Sequence, residues 1–268
     1  MPNNTRAMHP SGMLGITFTE DDHSYVDDFG IDYTSGTTLV KSAFEEFDAK
    51  KAAAIKSAKT GIPADQYIAE WKAAGERAAM EGTRAHENCE RQILGRIADM
   101  NQPQDDDERA RFRAAWFEVE KLKAAFPPDF MHRSSLEPEK LVFSPRFRVS
   151  GSVDLLAHRS DGKYFIFDWK YVKEIKREGF NGKTGIHIAS RHLPDCNFYH
   201  YALQLSIYEQ VMKCEGYIPP DATVERWLNV YRKPTADFEH VQLPDLGREA
   251  LILMAWNATC DNLEYVPF

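Results

Sequence analysis

The 268-residue chain has no apolar run that approaches the length of a membrane-spanning helix. Its opening residues, MPNNTRAMHPSGM, lack the apolar centre of a secretory leader. No membrane partner is therefore expected, and a cytoplasmic location is the default. Cysteine is scarce: Cys89, Cys196, Cys214 and Cys260 lie far apart, which suits neither a zinc site nor a disulfide framework. No internal repeat is apparent. Positive charge is in deficit, with a formal net charge of −8, which argues against neutralising phosphate over the whole surface. Acidic runs such as Asp105-Asp106-Asp107-Glu108 inflate that count, so local charge is the better guide. What remains is 43% apolar and 12% aromatic, enough for a substantial core.

The richest stretch is Ser150–Tyr171, SGSVDLLAHRSDGKYFIFDWKY. Aromatic and β-branched residues on either side of Ser160-Asp161-Gly162 predict two strands and a tight turn. A three-residue loop with Gly162 in the left-handed position pairs Arg159 with Lys163 and sets Asp154 opposite Asp168. Side chains so paired share a face and stand about 5 Å apart. A two-residue Asp-Gly turn would put the two aspartates on opposite faces. Alternation adds Lys170 to the face of Asp168, with the Trp169 side chain pointing away. Two adjacent carboxylates repel unless a cation lies between them, and Mg²⁺ or Mn²⁺ prefers such oxygen donors. An ordinary hairpin with solvated aspartates and a salt-bridging lysine accounts for the same residues.

Other segments offer partners. Glu76–Leu94 reads as a helix on which His86 and Glu90, four apart, share a face. Glu137 and Glu139 precede the apolar run Leu141-Val142-Phe143, and alternation points both to one side. Phe198–Lys213 reads as an amphipathic helix with Gln204 and Tyr208 on one face and Leu203, Ile207 and Val211 as a core stripe. Asp105–Ala125 reads as a helix stopped by Pro127-Pro128, its Phe112, Trp116, Val119 and Leu122 forming a packing stripe. Thr37–Leu94 is helical apart from a break at Gly61-Ile62-Pro63, residues 1–13 read as flexible, and Thr17–Tyr33 as a small hairpin. Val224–Tyr231 is expected to add a strand and Gly247–Asn262 a closing helix. Between Tyr171 and His192, Lys173, Lys176, Arg177, Lys183 and Arg191 outnumber Glu174 and Glu178, a surplus of three positive charges. That fits a mobile loop following a phosphate backbone, or a solvated surface loop.

In order, GTRAHENCE, a Glu-bearing strand, GSVDLL, FDWK and YALQLSIY resemble the RecB-type branch of the PD-(D/E)XK nucleases, over about residues 82–208. The likeness extends to phage-encoded exonucleases and the mitochondrial genome-maintenance exonuclease. It implies an α/β fold: a restriction-endonuclease-like core with a mixed central sheet flanked by helices, plus a helical N-terminal region. Residues 1–130 would be the hairpin and helical part contributing to a substrate passage, and 131–268 the nuclease core. The implied activity is Mg²⁺- or Mn²⁺-dependent hydrolysis of DNA from its ends. Asp154, Asp168 and Glu139 or Glu137 would be the acidic catalytic residues, with Lys170 beside them. His86 and the carbonyl of Trp169 would be further metal ligands. Gln204, Tyr208, Ser35, Arg84 and the loop cations Lys173, Lys176, Arg177 and Lys183 would meet substrate. Members with an iron–sulfur cluster use four clustered cysteines, so none is expected here. Partners would be DNA and a recombination or single-strand-binding protein, in the cytoplasm of a bacterial host if the gene is phage-borne. Two alternatives stay open: a structure-specific or nicking endonuclease, and a non-catalytic DNA-binding recombination partner of the same fold.

Overall fold

The computed structural model describes residues 4–128 and 135–263. Strands β1 (Asn4–Met8), β2 (Gly15–Thr19) and β3 (Ser24–Asp27) form a small antiparallel sheet. A two-residue strand β4 (Thr34–Ser35) leads into helices α1 (Gly36–Ser42), α2 (Ala49–Thr60), α3 (Ala64–Ile93) and α4 (Asp106–Ala125). Then come β5 (Leu136–Ser144), β6 (Val149–His158), β7 (Tyr164–Lys170), α5 (Asn197–Cys214), β8 (Val224–Arg232), β9 (Asp237–Leu243) and α6 (Gly247–Leu263). The architecture is the expected mixed α/β one. Six strands make a mixed sheet in which β6 pairs with β4, β5 and β7, followed by β8 and β9.

Local chemistry explains most boundaries. Gly61 ends α2 at φ +73, a left-handed cap that suits glycine, and Pro63 opens α3. Asp105 caps α4 by accepting from the Glu108 amide at 2.7 Å, and acidic residues fill its first turn, where the helix dipole favours them. One sheet face packs Leu203, Ile207 and Val211 of α5 with Leu253 of α6 and Leu39 of α1. The other packs Cys89 of α3 and Val119 of α4 against Leu155, Phe167 and Trp169. The candidate site lies on β5, β6 and β7 of this sheet, with His86 reaching it from α3.

Three expectations need correction. Asn4–Met8 is a strand in register with β2, and Arg6 forms an ion pair with Asp28 at 2.6 Å, so this part of residues 1–13 is not a loose end. Residues 1–3 of that span, and the boundary expected between 130 and 131, lie outside the described residues. Trp116 is 37% exposed, whereas Ala115 is 2% exposed and fills the gap between Phe112 and Val119. Strand β9 was not anticipated.

Candidate active site

The turn decides the register, as the sequence suggested. Arg159 N–H donates to the Lys163 carbonyl at 2.9 Å, Gly162 N–H to the Arg159 carbonyl at 3.0 Å, and Gly162 adopts φ +83. The ladder pairs His158 with Tyr164 through to Leu155 with Phe167, and the next step places Asp154 opposite Asp168. Asp154 Oδ2 accepts from the Trp169 amide at 2.9 Å. On the other side of β6, Pro138 pairs with Leu155 and Lys140 with Val153, so Glu139 stands across from Asp154. Glu139 has φ +46, a left-handed conformation uncommon for a residue with a side chain, and its carboxylate accepts from Ser152 Oγ at 2.9 Å. Three carboxylates thus lie in a row on neighbouring strands.

His86 reaches this row from α3. Its Nδ1 lies 3.3 Å from Asp154 Oδ2 and its Nε2 is 3.0 Å from the Trp169 carbonyl oxygen. Ligand atoms of His86, Glu139 and Asp154 all lie within 4.8 Å of one another. Asp168 is 3% exposed, and the Lys170 ammonium holds it at 2.5 Å. Glu137 instead turns to Lys140 in a half-exposed ion pair, so geometry separates the two glutamates. Glu90 lies 3.8 Å from Arg96, and its charge contributes to raising Glu139.

Helix α5 supplies the facing wall. Gln204 Nε2 donates to the Tyr208 hydroxyl at 3.2 Å. The Tyr208 ring lies so close to the backbone of β6 and α1 that a Cβ at Gly151 or Gly36 would come closer than 3.0 Å to it. The glycines of the Ser-Gly-Ser and Ser-Gly-Thr segments are therefore recesses for one tyrosine. Tyr201, which the sequence reading did not single out, places its ring 4.9 Å from the Lys170 ammonium. Its spacing of three before Gln204 and seven before Tyr208 was the available signal.

Burial perturbs every ionisable group here. It pushes the Asp168 carboxyl up to about 6 despite the adjacent Lys170. It raises Asp154, and it raises Glu139 with the Asp154 charge adding to the effect. His86 falls to about 4, through burial and then the Lys170 charge, and so is neutral near pH 7. Burial alone would lower Lys170, but Asp168 and Asp154 together raise it. A neutral imidazole has one donor and one acceptor nitrogen. Facing a carbonyl, Nε2 must be the donor, which leaves the Nδ1 lone pair aimed at Asp154. Lone pair against carboxylate, beside a third oxygen donor, is a set that a hard divalent cation fits.

Several expected substrate contacts have other employment. Arg84 donates to Glu108 at 2.7 Å and to the Gln102 carbonyl at 2.7 Å, tying α3 to the start of α4. Ser35 caps α1, its hydroxyl accepting from the Thr38 amide at 3.0 Å. Both groups thus satisfy the protein's own backbone and charges in this structure. Lys183 forms an ion pair with Glu45, and Arg177 lies over the Phe198 ring at 4.1 Å. Lys173 and Lys176 are exposed. The loop carrying them is held down, with Ser190 Oγ donating to the Ala43 carbonyl at 2.6 Å and Asp195 N–H to the Lys183 carbonyl at 2.8 Å.

No family model and no curated protein matches the chain. Among solved structures, one similar chain is a candidate exonuclease from Eubacterium rectale, with 13% identity and a TM-score of 0.35. The match covers 71% of this chain and 69% of that one. Another is SSO0001, with 12% identity and a TM-score of 0.28, covering 68% of this chain and 87% of that one. These likenesses are too loose to assign a family or an activity.

Proposed function

We propose that the chain is a Mg²⁺- or Mn²⁺-dependent deoxyribonuclease that hydrolyses DNA from its ends. The observation that carries this reading is the row of Glu139, Asp154 and Asp168 on three adjacent strands, met by His86 and balanced by only one ammonium, Lys170. Glu139, Asp154 and Asp168 would hold the ion, with His86 Nδ1 as a nitrogen donor, while the Trp169 carbonyl accepts the His86 Nε2 proton and so fixes that lone pair. When bound, such an ion polarises a phosphate and lowers the pKa of water.

The chain's own groups account for the rest. Lys170 orients the attacking water and offsets the negative charge that builds on the phosphoryl oxygens. Water oxygen joins phosphorus as one ester P–O bond breaks, and the departing alcohol takes up a proton. His86, neutral near pH 7, offers its lone pair without first losing a proton. Gln204 and Tyr208 steady the strand beside the site, Lys173, Lys176, Arg177 and Lys183 follow its phosphates, and the N-terminal helices line the approach. In a cell this activity would serve DNA recombination, replication or processing in the cytoplasm.

The test uses linear DNA labelled separately at each end beside a closed circle, with Mg²⁺, Mn²⁺ or EDTA, for the wild type and Asp168→Ala. Metal-dependent loss of linear DNA alone, absent in the variant, is the expected result. Cut circles would replace the exonuclease with an endonuclease. Binding without any cleavage would leave a non-catalytic DNA-binding protein.

A further inference from the structure

Helix α2 is unlike the others. It buries only Ala53, so it contributes little to the core. From residue 49 through 64 there is no carboxylate, while Lys50, Lys51, Lys56 and Lys59 are all exposed. Of the neighbouring acids, Asp48 is spent capping α2 by accepting from the Lys51 amide at 2.9 Å, and Glu45 is paired with Lys183. Glu46 is exposed and has no ion-pair partner among the described residues. In a chain of net charge −8, this is a local excess of cation.

The same surface carries aromatic rings. Phe47 is 71% exposed, and its ring centroid lies 6.1 Å from that of half-buried Trp71 on α3. Trp71 in turn stacks on Tyr67 at 6.0 Å and 27°. The Lys56 ammonium lies 4.2 Å from the Tyr67 ring and 5.6 Å from the Trp71 ring. Ile55, 53% exposed, lies on the same helix as these lysines. An exposed aromatic costs solvation free energy unless something covers it. A flat ring beside the ammonium groups of α2 matches a polyanion that has π-faces to offer.

We propose that Phe47, Trp71 and the α2 lysines form a platform for single-stranded nucleic acid, distant from the reacting phosphate. The nature of the polymer rests on the nuclease reading above. Unpaired bases stack on rings without regard to sequence, and a duplex has none to give. Geometry also sets a length. Helix α3 runs unbroken from Ala64 to Ile93, so Trp71 and His86 are separated by about 22 Å of helix at ~1.5 Å per residue. At a stacked rise of ~3.4 Å that is about six to seven nucleotides.

The experiment measures fluorescence anisotropy of labelled dT4, dT8 and dT16 and of a 16-base-pair duplex with the full chain bearing Asp168→Ala, in EDTA. Affinity should rise sharply between dT4 and dT16. Phe47→Ala and Trp71→Ala should each weaken dT16 about tenfold, the loss of one stacked base, and Phe47→Tyr should restore it. Changing all four α2 lysines to glutamine should reduce the slope of log affinity against log salt by about 3, at ~0.7 per phosphate contact. Because Phe47 is solvent-facing, its variant should keep the wild-type melting temperature even if Trp71→Ala does not. Equal affinity for dT4 and dT16, unchanged binding by Phe47→Ala, or an equal loss for the duplex overturns the proposal. So does binding to phosphatidylglycerol vesicles without oligonucleotide binding. Hydrolysis of bis(p-nitrophenyl) phosphate by the wild type with Mn²⁺ reads the reaction site separately. Hydrolysis without platform-dependent binding sinks the platform alone, and the converse sinks the nuclease.

Discussion

Replacing Glu139 with glutamine should stabilise the metal-free protein while destroying its use. The Glu139 carboxyl is raised from its ordinary value of 4.5 to about 8, first by burial and then by the charge of Asp154. An acid whose pKa is raised on folding keeps its proton longer in the folded than in the unfolded state. The contribution of Glu139 to folding stability therefore declines as pH rises through the window between about 4.5 and 8 and is flat outside it. The full rise corresponds to about 5 kcal/mol at 1.36 kcal/mol per decade. Water entering the site and a proton shared with Asp154 relieve part of this, so about 2–3 kcal/mol is expected. Glutamine has the same shape, can still accept from Ser152 Oγ and carries no charge. In EDTA at pH 8.5 Glu139→Gln should melt about 5–10 °C above the wild type, at ~2–4 °C per kcal/mol for a chain of this size. At pH 4 the two should melt together. Adding Mn²⁺ should raise the wild type at pH 8.5 and leave the variant nearly unmoved. A variant that melts at or below the wild type in EDTA at pH 8.5 would refute the charge-strain argument.

Lys170→Met should lower single-turnover cleavage about 10²–10³-fold, the scale for losing one charge-stabilising donor. Oligonucleotide affinity measured in EDTA should fall much less, and equal losses would deny Lys170 a role in the chemistry. Gly151→Ala should cost about 1–3 kcal/mol in urea denaturation, because its Cβ meets the Tyr208 ring and overpacks the wall. A fully stable Gly151→Ala would show that Tyr208 has room to move.

The hairpin was legible because its turn chemistry has few solutions: Ser-Asp-Gly needs a left-handed residue, Gly162 provides it at φ +83, and the register follows. The choice between Glu137 and Glu139 was not. Alternation puts both on one side, and only the left-handed backbone at Glu139, which no composition announces, sets them apart. The internal pairing of Arg84 was not legible either. Its partner Glu108 lies 24 residues away on α4, and long-range pairing leaves no mark in local sequence. The Trp116 stripe failed because Phe112 and Val119 admit either residue 115 or residue 116 between them. Close packing took the smaller Ala115. Strand β1 went unread because NTRAM is polar and exposed, and it is defined by its ladder to β2 rather than by its own pattern.

A role in stability alone does not account for the charge balance of the site. Two like charges about 5 Å apart repel by about 3 kcal/mol at an effective dielectric constant near 20. Fully ionised, Glu139, Asp154 and Asp168 would form two such neighbouring pairs, and the ammonium of Lys170 is held by Asp168. Two other buried carboxylates are closed by cations: Glu209 meets both Arg226 and Lys213, and Glu118 meets Lys121 and His240. His86 could have closed the row by taking a proton, but burial and Lys170 hold it neutral. Even a well-paired buried ion pair contributes little net stability, and an unmatched carboxylate subtracts from it. The row therefore makes physical sense as one half of a charge arrangement, a half that a bound cation could complete.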